Sequence, residues 1–199
     1  MPPLISSAVD VGTGLVRDLR QPLYDLEVYP GSAGAATLTF FSRNIGSTTA
    51  NTYGGATWIK NEFHTNQQSS MTLGKPNSFD WEGVQVEIEP TAGENVIANV
   101  IRWGVFTFYF GTVKFIEVPL SRVPAGVSLD GPGANTTTYL HNGLAAPGVM
   151  FDVKVRGGAR KITYNETYYA TITFPQTRPS AYADFWIRVY LLGELHRQM

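Results

Sequence analysis

The chain has 199 residues, of which 16% are charged and 13% aromatic, with 20 glycines, 12 prolines and no cysteine. Its 15 basic and 16 acidic residues give a net charge of −1, and the lack of a basic arm argues against nucleic-acid binding as the main activity. Absence of cysteine excludes disulfides and metal sites with thiolate ligands. Few charges, many aromatics and many turn residues indicate an all-β protein that buries surface against partners.

Residues 1–36 are predicted to be an N-terminal arm, and residues 37–199 a single β-sandwich domain. Proline and glycine interrupt the arm repeatedly, and its apolar spacing is weak. It is either a partly ordered terminus or an arm that crosses onto a neighbouring subunit. The first residues lack a basic region and a long apolar stretch, so no signal peptide is predicted.

The next elements are predicted from apolar periodicity. Residues 37–42 form a short strand candidate, and residues 79–89 form the first strong strand. After Gly83 the apolar phase of this strand changes, which predicts a β-bulge at that glycine. Residues 94–103 carry apolar residues at helical spacing and predict a short helix that leads into a hairpin.

Residues 105–118 predict a β-hairpin around a two-residue type II′ turn, with Gly111 at its first central position. An uninterrupted ladder would alternate core-face and outer-face pairs. The inward pairs would be Phe110 with Val113, Phe108 with Phe115 and Phe106 with Glu117, and the outward pairs Tyr109 with Lys114, Thr107 with Ile116 and Val105 with Val118.

Three further strands are predicted at residues 149–156, 167–174 and 184–192, each with alternating apolar residues. The connection over residues 121–148 is the longest loop, and its length suggests a role at the surface. Seven or eight strands without βαβ alternation indicate a two-sheet sandwich. Long crossing loops favour a single jelly roll of about eight strands, with one short helix, over an immunoglobulin-like sandwich.

No catalytic constellation is evident. The three histidines lie far apart and outside any metal-binding motif. Glu87 and Glu89 share one face of a strand at roughly 7 Å, a spacing compatible with paired glycosidase carboxylates and equally with an ordinary solvated face. We therefore predict a protein without enzymatic activity, cofactor, metal or small-molecule substrate.

Four tryptophans and ten tyrosines exceed what one core of this size needs, so some should lie at the surface. Exposed aromatics on a sandwich indicate subunit contacts or sugar stacking. The candidate subunit-contact residues are Trp58, Phe63, Tyr109, Lys114, Trp186 and Tyr190.

Three segments, in this order, resemble jelly-roll capsid proteins of small icosahedral tailless bacteriophages of the membrane-containing type. The first is FHTNQQSSMTLGKPNSFDWEGVQVEI, the second is the hairpin and its exit, FTFYFGTVKFIEVPLSRVPAG, and the third is the ending, DFWIRVYLLGELHR. Together they cover roughly the last two-thirds of the chain. The first 60 residues and the loop at 126–148 depart from this pattern.

The resemblance implies a coat subunit that self-assembles into an icosahedral virion. Its expected partners are copies of itself and other capsid proteins, with an internal viral membrane as a further candidate and no direct contact with nucleic acid. It would be synthesised in the host cytoplasm and reside in the virion. The alternative from the aromatic content is a carbohydrate- or receptor-binding β-sandwich module.

Overall fold

The computed structural model describes residues 16–31, 37–89, 94–124, 151–153, 160–174 and 184–198. These residues form two antiparallel sheets and one short helix, so the predicted all-β class is confirmed. The strands are β1 (Val16–Leu19), β2 (Leu23–Tyr29), β3 (Thr37–Phe40), β4 (Ser78–Ile88), β5 (Val105–Phe110), β6 (Val113–Pro119), β7 (Phe151–Asp152), β8 (Arg160–Thr163), β9 (Tyr168–Thr173) and β10 (Phe185–Gln198).

Strand pairing is nested along the chain. In the six-stranded sheet, β10 lies between β4 and the pair β1 and β2, while β7 and β8 share the far side of β4. The four-stranded sheet has the order β3-β9-β5-β6. Thus β2 pairs with β10, β3 with β9, β4 with β7 and β8, and β5 with β6, so early strands meet late ones from the outside inwards.

The predicted alternation of the last two long strands is confirmed. The inward row of β9 and its continuation, Phe174, is buried, and so is the inward row of β10 from Phe185 to Leu191. These rows meet the apolar side chains of β4 and β5 in one continuous core. At its centre lies Trp81, fully buried, with its ring centroid 4.2 Å from that of Phe108.

Part of the predicted arm is instead a strand of the sheet. β2 pairs with β10 over seven residues, and Leu23 and Tyr29 belong to the core. The prediction missed β2 because Asp25 and Glu27 occupy the inward positions between these apolar residues, where alternation normally requires apolar side chains. Residues 1–15 and 32–36 lie outside the described residues.

The predicted hairpin is present, but its predicted register is correct only beside the turn. Gly111 has a φ of 56°, as a type II′ turn requires at its first central position. Beyond Tyr109 the register shifts by one residue, so that Phe108 faces Ile116 and Thr107 faces Glu117. The extra residue, Phe115, forms a β-bulge.

The bulge exists because a plain ladder would bury a charge. It would place Glu117 on the core face and Ile116 on the outer face. With the bulge, Phe115, Ile116 and Val118 all pack against the core. Glu117 instead reaches Lys114 on the exposed side at 2.7 Å, which corrects the predicted pairs of Phe106 with Glu117 and Thr107 with Ile116.

The predicted bulge in β4 is confirmed. Leu192 faces Gly83 and Gly193 faces Trp81, so Glu82 is the extra residue. Gly193 lies so close to β4 that a Cβ placed on it would be 2.0 Å from the carbonyl oxygen of Asp80. The bulge therefore depends on a glycine in the partner strand.

The remaining connections agree in part with prediction. Helix α1 (Glu94–Trp103) matches the predicted residues 94–103, and a 3-10 turn (Leu120–Arg122) follows β6. Of the strand predicted at 149–156, only residues 151–153 are described, and the loop from 125 onwards lies outside the described residues. β8 was not predicted, because its sequence RKIT offers a single long apolar side chain.

We expect Gly193→Ala to lower the free energy of unfolding by about 3 kcal/mol, the upper part of the usual range for overpacking. The added methyl group must displace the β4 backbone, which has little room to move inside the sheet. Urea denaturation of the variant measures the effect.

Gly74→Ala is the matched control, because a Cβ there would meet only two side-chain atoms, each at 3.8 Å. Equal stability of the two variants would contradict the close approach of β10 to β4.

Candidate interaction surface

The connection between β3 and β4, residues 41–77, runs along the free edge of β2, and we call it the edge loop. At one end Thr65 forms a β-bridge with Asp25. Further along, the side-chain amide of Asn51 donates to Val28 O at 2.8 Å, and Gly54 N donates to Asp184 Oδ2 at 3.0 Å. The loop thereby covers backbone groups that an edge strand would otherwise present for pairing.

Lys60 anchors the edge loop inside the protein. Its side chain is fully buried, and its Nζ lies 2.7 Å from Asp25 Oδ1 and 2.6 Å from Glu27 Oε1, both on fully buried carboxylates. The contact with Asp25 is a hydrogen bond, whereas the contact with Glu27 Oε1 is an ion pair outside hydrogen-bond geometry. Phe41 N and Ala50 N donate to the remaining carboxylate oxygens.

This buried cluster contains two carboxylates and one ammonium group, and Arg43 approaches Glu27 only to 3.7 Å from a partly exposed position. Burial is the main cause that raises the pKa of Asp25 to about 6, and the neighbouring Glu27 adds to it, while Lys60 acts in the opposite direction. The folded protein therefore binds a proton at Asp25 more tightly than the unfolded chain does.

Three of the six predicted contact residues meet on the outer face of the six-stranded sheet, around Arg188. The guanidinium carbon of Arg188 lies 4.6 Å from the ring centroid of Phe63, 5.0 Å from that of Trp186 and 5.9 Å from that of Tyr190. Arg188 also forms an ion pair with Glu87 at 3.2 Å and donates to Phe63 O at 2.9 Å. We call these five residues the outer patch.

Trp58, a fourth predicted contact residue, joins the outer patch through His64. The His64 ring lies 5.1 Å from Trp58 and 5.5 Å from Phe63. Burial, with contributions from Lys60 and Arg188, lowers the pKa of His64. The imidazole is therefore uncharged at neutral pH, and this buried ring connects Trp58 to Phe63.

Two side chains of the edge loop are exposed and apolar: Phe63, in the outer patch, is 60% exposed, and Ile59 is 67% exposed. Arg188 is only 11% exposed. Sequence reasoning did not single out Arg188 or Ile59, and it considered Glu87 only as a glycosidase carboxylate. The alternation of Arg188 with Trp186 and Tyr190 could have indicated the shared face of β10, but the approach of Phe63 depends on how the edge loop folds.

The two carboxylates considered for glycosidase chemistry are engaged by neighbouring groups. Glu87 binds Arg188 and accepts a hydrogen bond from the Tyr190 hydroxyl at 2.7 Å. Glu89 accepts from the Tyr53 hydroxyl at 2.7 Å and from Trp186 N at 3.0 Å. Glu87 is thus held within the outer patch, and Glu89 fixes the backbone of Trp186.

The last two predicted contact residues, Tyr109 and Lys114, lie on the other sheet and are not part of the outer patch. Tyr109 stacks on Tyr169 with ring centroids 4.6 Å apart. Lys114 pairs with Glu117 across the bulge at Phe115. These two residues therefore belong to a surface separate from the outer patch.

No group of histidine, aspartate and glutamate suited to hold a metal ion occurs among the described residues. The one described helix is too short to cross a membrane. Comparison of the chain with protein-family models, curated proteins and solved structures finds no match.

We expect Lys60→Met to lower the free energy of unfolding by about 3 to 5 kcal/mol, because it leaves two buried carboxylates without their counter-charge. Chemical denaturation measures this loss. Lys114→Met is the control, since Lys114 pairs with Glu117 at the surface and its removal should leave stability unchanged within error. A loss no larger than that of the control would contradict the buried ion cluster.

We expect acidification to favour wild type over Asp25→Asn. Because the folded pKa of Asp25, about 6, lies above its usual value of 3.8, its contribution to stability is present at pH 4 and is lost as the pH rises through 6. The difference in unfolding free energy should therefore shift towards wild type by on the order of 2 kcal/mol between pH 7 and pH 4. Parallel stability profiles of the two proteins would refute this assignment.

Proposed function

We propose that the chain is a jelly-roll coat subunit that self-assembles into an icosahedral virus shell. The observation that carries the proposal is the nested strand pairing, in which β2 meets β10, β3 meets β9, β4 meets β7 and β8, and β5 meets β6. A long antiparallel hairpin rolled into two sheets produces this order, which supports the jelly roll among the sandwich folds.

Jelly rolls occur in viral capsids, lectins and cupins, so the fold is consistent with a shell protein and also with a binding protein. The resemblance of the three segments to phage capsid proteins adds support, and two of those segments supply outer-patch residues, namely Phe63, Glu87, Trp186, Arg188 and Tyr190. Phe63 and Ile59, both exposed on the edge loop, offer apolar area of the kind that stable subunit association uses.

The state of the tryptophan rings favours subunit contact over sugar stacking on this face. Trp58 is already in ring contact with Tyr53 at 4.7 Å and with His64, and Trp186 lies against Arg188. A sugar ring stacks on an aromatic ring whose face is open to solvent. The rings of Trp58 and Trp186 instead contact other side chains of the same chain. The carbohydrate-binding alternative therefore has less support at the outer patch.

In this proposal the partners are other copies of the chain and further shell proteins, and the location is the virion after synthesis in the host cytoplasm. A net charge of −1 gives no electrostatic attraction to packaged nucleic acid. The subunit would therefore contribute to the shell through side-chain contacts between proteins, without a catalytic step.

We expect the purified protein to form particles or higher oligomers as its concentration rises, measured by analytical ultracentrifugation and electron microscopy. The double variant Ile59→Ser/Phe63→Ser should shift this population to monomers, because it removes two exposed apolar side chains of the edge loop. Val113→Ser is the matched control: Val113 is also 67% exposed but lies on the hairpin of the other sheet.

A wild-type protein that remains monomeric at every concentration, together with virions that lack the chain, would overturn the proposed function. Assembly that is equally intact in the double variant would overturn the role of the outer patch and leave the shell function standing. The two measurements thus separate the contact surface from the assembly itself.

A further inference from the structure

One end of the sandwich, beside the edge loop, holds a cavity of about 150 Å³. Strand β10 contributes its last inward positions, β2 its first residue, and the edge loop the remaining wall. The described lining combines apolar, carboxamide and guanidinium groups, from Leu23, Asn66, Gln67, Gln68, Leu73, Gly74, Asn77, Leu195 and Arg197.

Arg197 is the only charged side chain in this described lining. It continues the inward row of β10, in which Leu191 and Leu195 are buried core residues. Within the described residues it forms no ion pair, and its one hydrogen bond is donated to Gln21 Oε1 at 3.0 Å. A cation placed at an inward position with N–H donors to spare is suited to bind an anion.

Two carboxamide side chains line the same cavity as Arg197. Gln68 and Asn77 flank Gly74, and a Cβ on that glycine would lie 3.8 Å from an amide atom of each. Neither side chain is hydrogen-bonded within the described part of the chain. Each offers a carbonyl oxygen and an NH₂ group, the combination that can accept from and donate to neighbouring hydroxyl groups.

The other two carboxamides hold the wall in place. Asn66 accepts from Tyr24 N at 2.9 Å and donates to Pro22 O at 2.7 Å, while Gln67 donates to the hydroxyl of Tyr168. The cavity is therefore fixed by the fold on this side. The polar groups left to contact a ligand are those of Arg197, Gln68 and Asn77, and the lining also contains three leucines, Leu23, Leu73 and Leu195.

We propose that this cavity binds a single acidic sugar unit, with the sugar carboxylate on Arg197 and the hydroxyl groups on Gln68 and Asn77. A sugar ring also presents C–H groups that can pack against the leucines of the lining. The cavity is smaller than the roughly 300 Å³ at which pockets for drug-sized ligands begin, so it admits one unit and no extended chain. The unit can come from a free sugar acid or from the terminus of a glycan.

The inference goes beyond assembly, because all the described lining residues belong to one chain. A shell subunit with this site would carry a weak recognition element for acidic glycans. Failure of sugar binding would leave the assembly experiment unaffected, and failure of assembly would leave the binding experiment interpretable.

The test is a titration of the full chain with methyl glucuronide, followed by NMR of the side-chain amides and by calorimetry. We expect saturable binding that perturbs the amide signals of Gln68 and Asn77. Methyl glucoside, which lacks the carboxylate, should bind at least tenfold more weakly. Comparison with a glycan that ends in glucuronic acid then distinguishes the free from the glycan-borne source.

Two variants locate the site. Arg197→Met should weaken binding roughly 10- to 100-fold, the effect of losing a hydrogen bond to a charged group. Gln68→Ala, at an exposed position that tolerates truncation, should weaken it roughly 2- to 10-fold. Arg122→Met is the control, because Arg122 is exposed on the 3-10 turn after β6 and is absent from the described lining.

Five outcomes would overturn the proposal. Three concern the expected ligand and site: absence of binding, equal affinity for glucuronide and glucoside, and unchanged affinity in both Arg197→Met and Gln68→Ala. The fourth is tighter binding of N-acetyl-leucine, which would indicate a peptide carboxyl terminus. The fifth is binding of acetate as tight as that of glucuronide, since the ring would then contribute nothing. Thermal melting of each variant establishes that it is folded.

Discussion

The burial of Lys60 between Asp25 and Glu27 is the constraint on which the rest of the surface depends. Taking three charges out of water is costly, so the arrangement persists only with the edge loop in one position. That position covers the free edge of β2 and carries Phe63 over Arg188. A cluster that looks like a local detail of the interior therefore determines the shape of the outer face.

Much of the fold could be predicted from apolar alternation, and the exceptions have physical causes. The bulge at Gly83 was predictable because the apolar phase changes within β4 itself. The bulge at Phe115 was not, since the adjacent residues Phe115 and Ile116 are both apolar and either phase looks acceptable until the burial of Glu117 is considered. β2 escaped prediction because its inward charges are compensated by a residue more than thirty positions away.

The candidate surface was predictable as a set of residue types and not as an arrangement. Aromatic excess indicated exposed rings, and Trp186 and Tyr190 fell on one face by strand periodicity alone. What joined them to Phe63 was the course of the edge loop, which depends on long-range contacts that sequence spacing does not contain. Sequence spacing also could not show that Tyr109 and Lys114 lie apart from the other candidates. The sheet to which a strand belongs depends on the topology of the whole chain.

The hairpin edge has a consequence for behaviour in crowded solution. Among the described strands β6 pairs only with β5, and it carries a bulge at Phe115, an exposed Lys114 and a terminal Pro119. Each of these opposes the addition of another strand. Edge-to-edge addition of strands propagates without a natural end, so its suppression discourages the growth of fibres. Association of concentrated chains is then restricted to contacts between their faces, which can form closed assemblies.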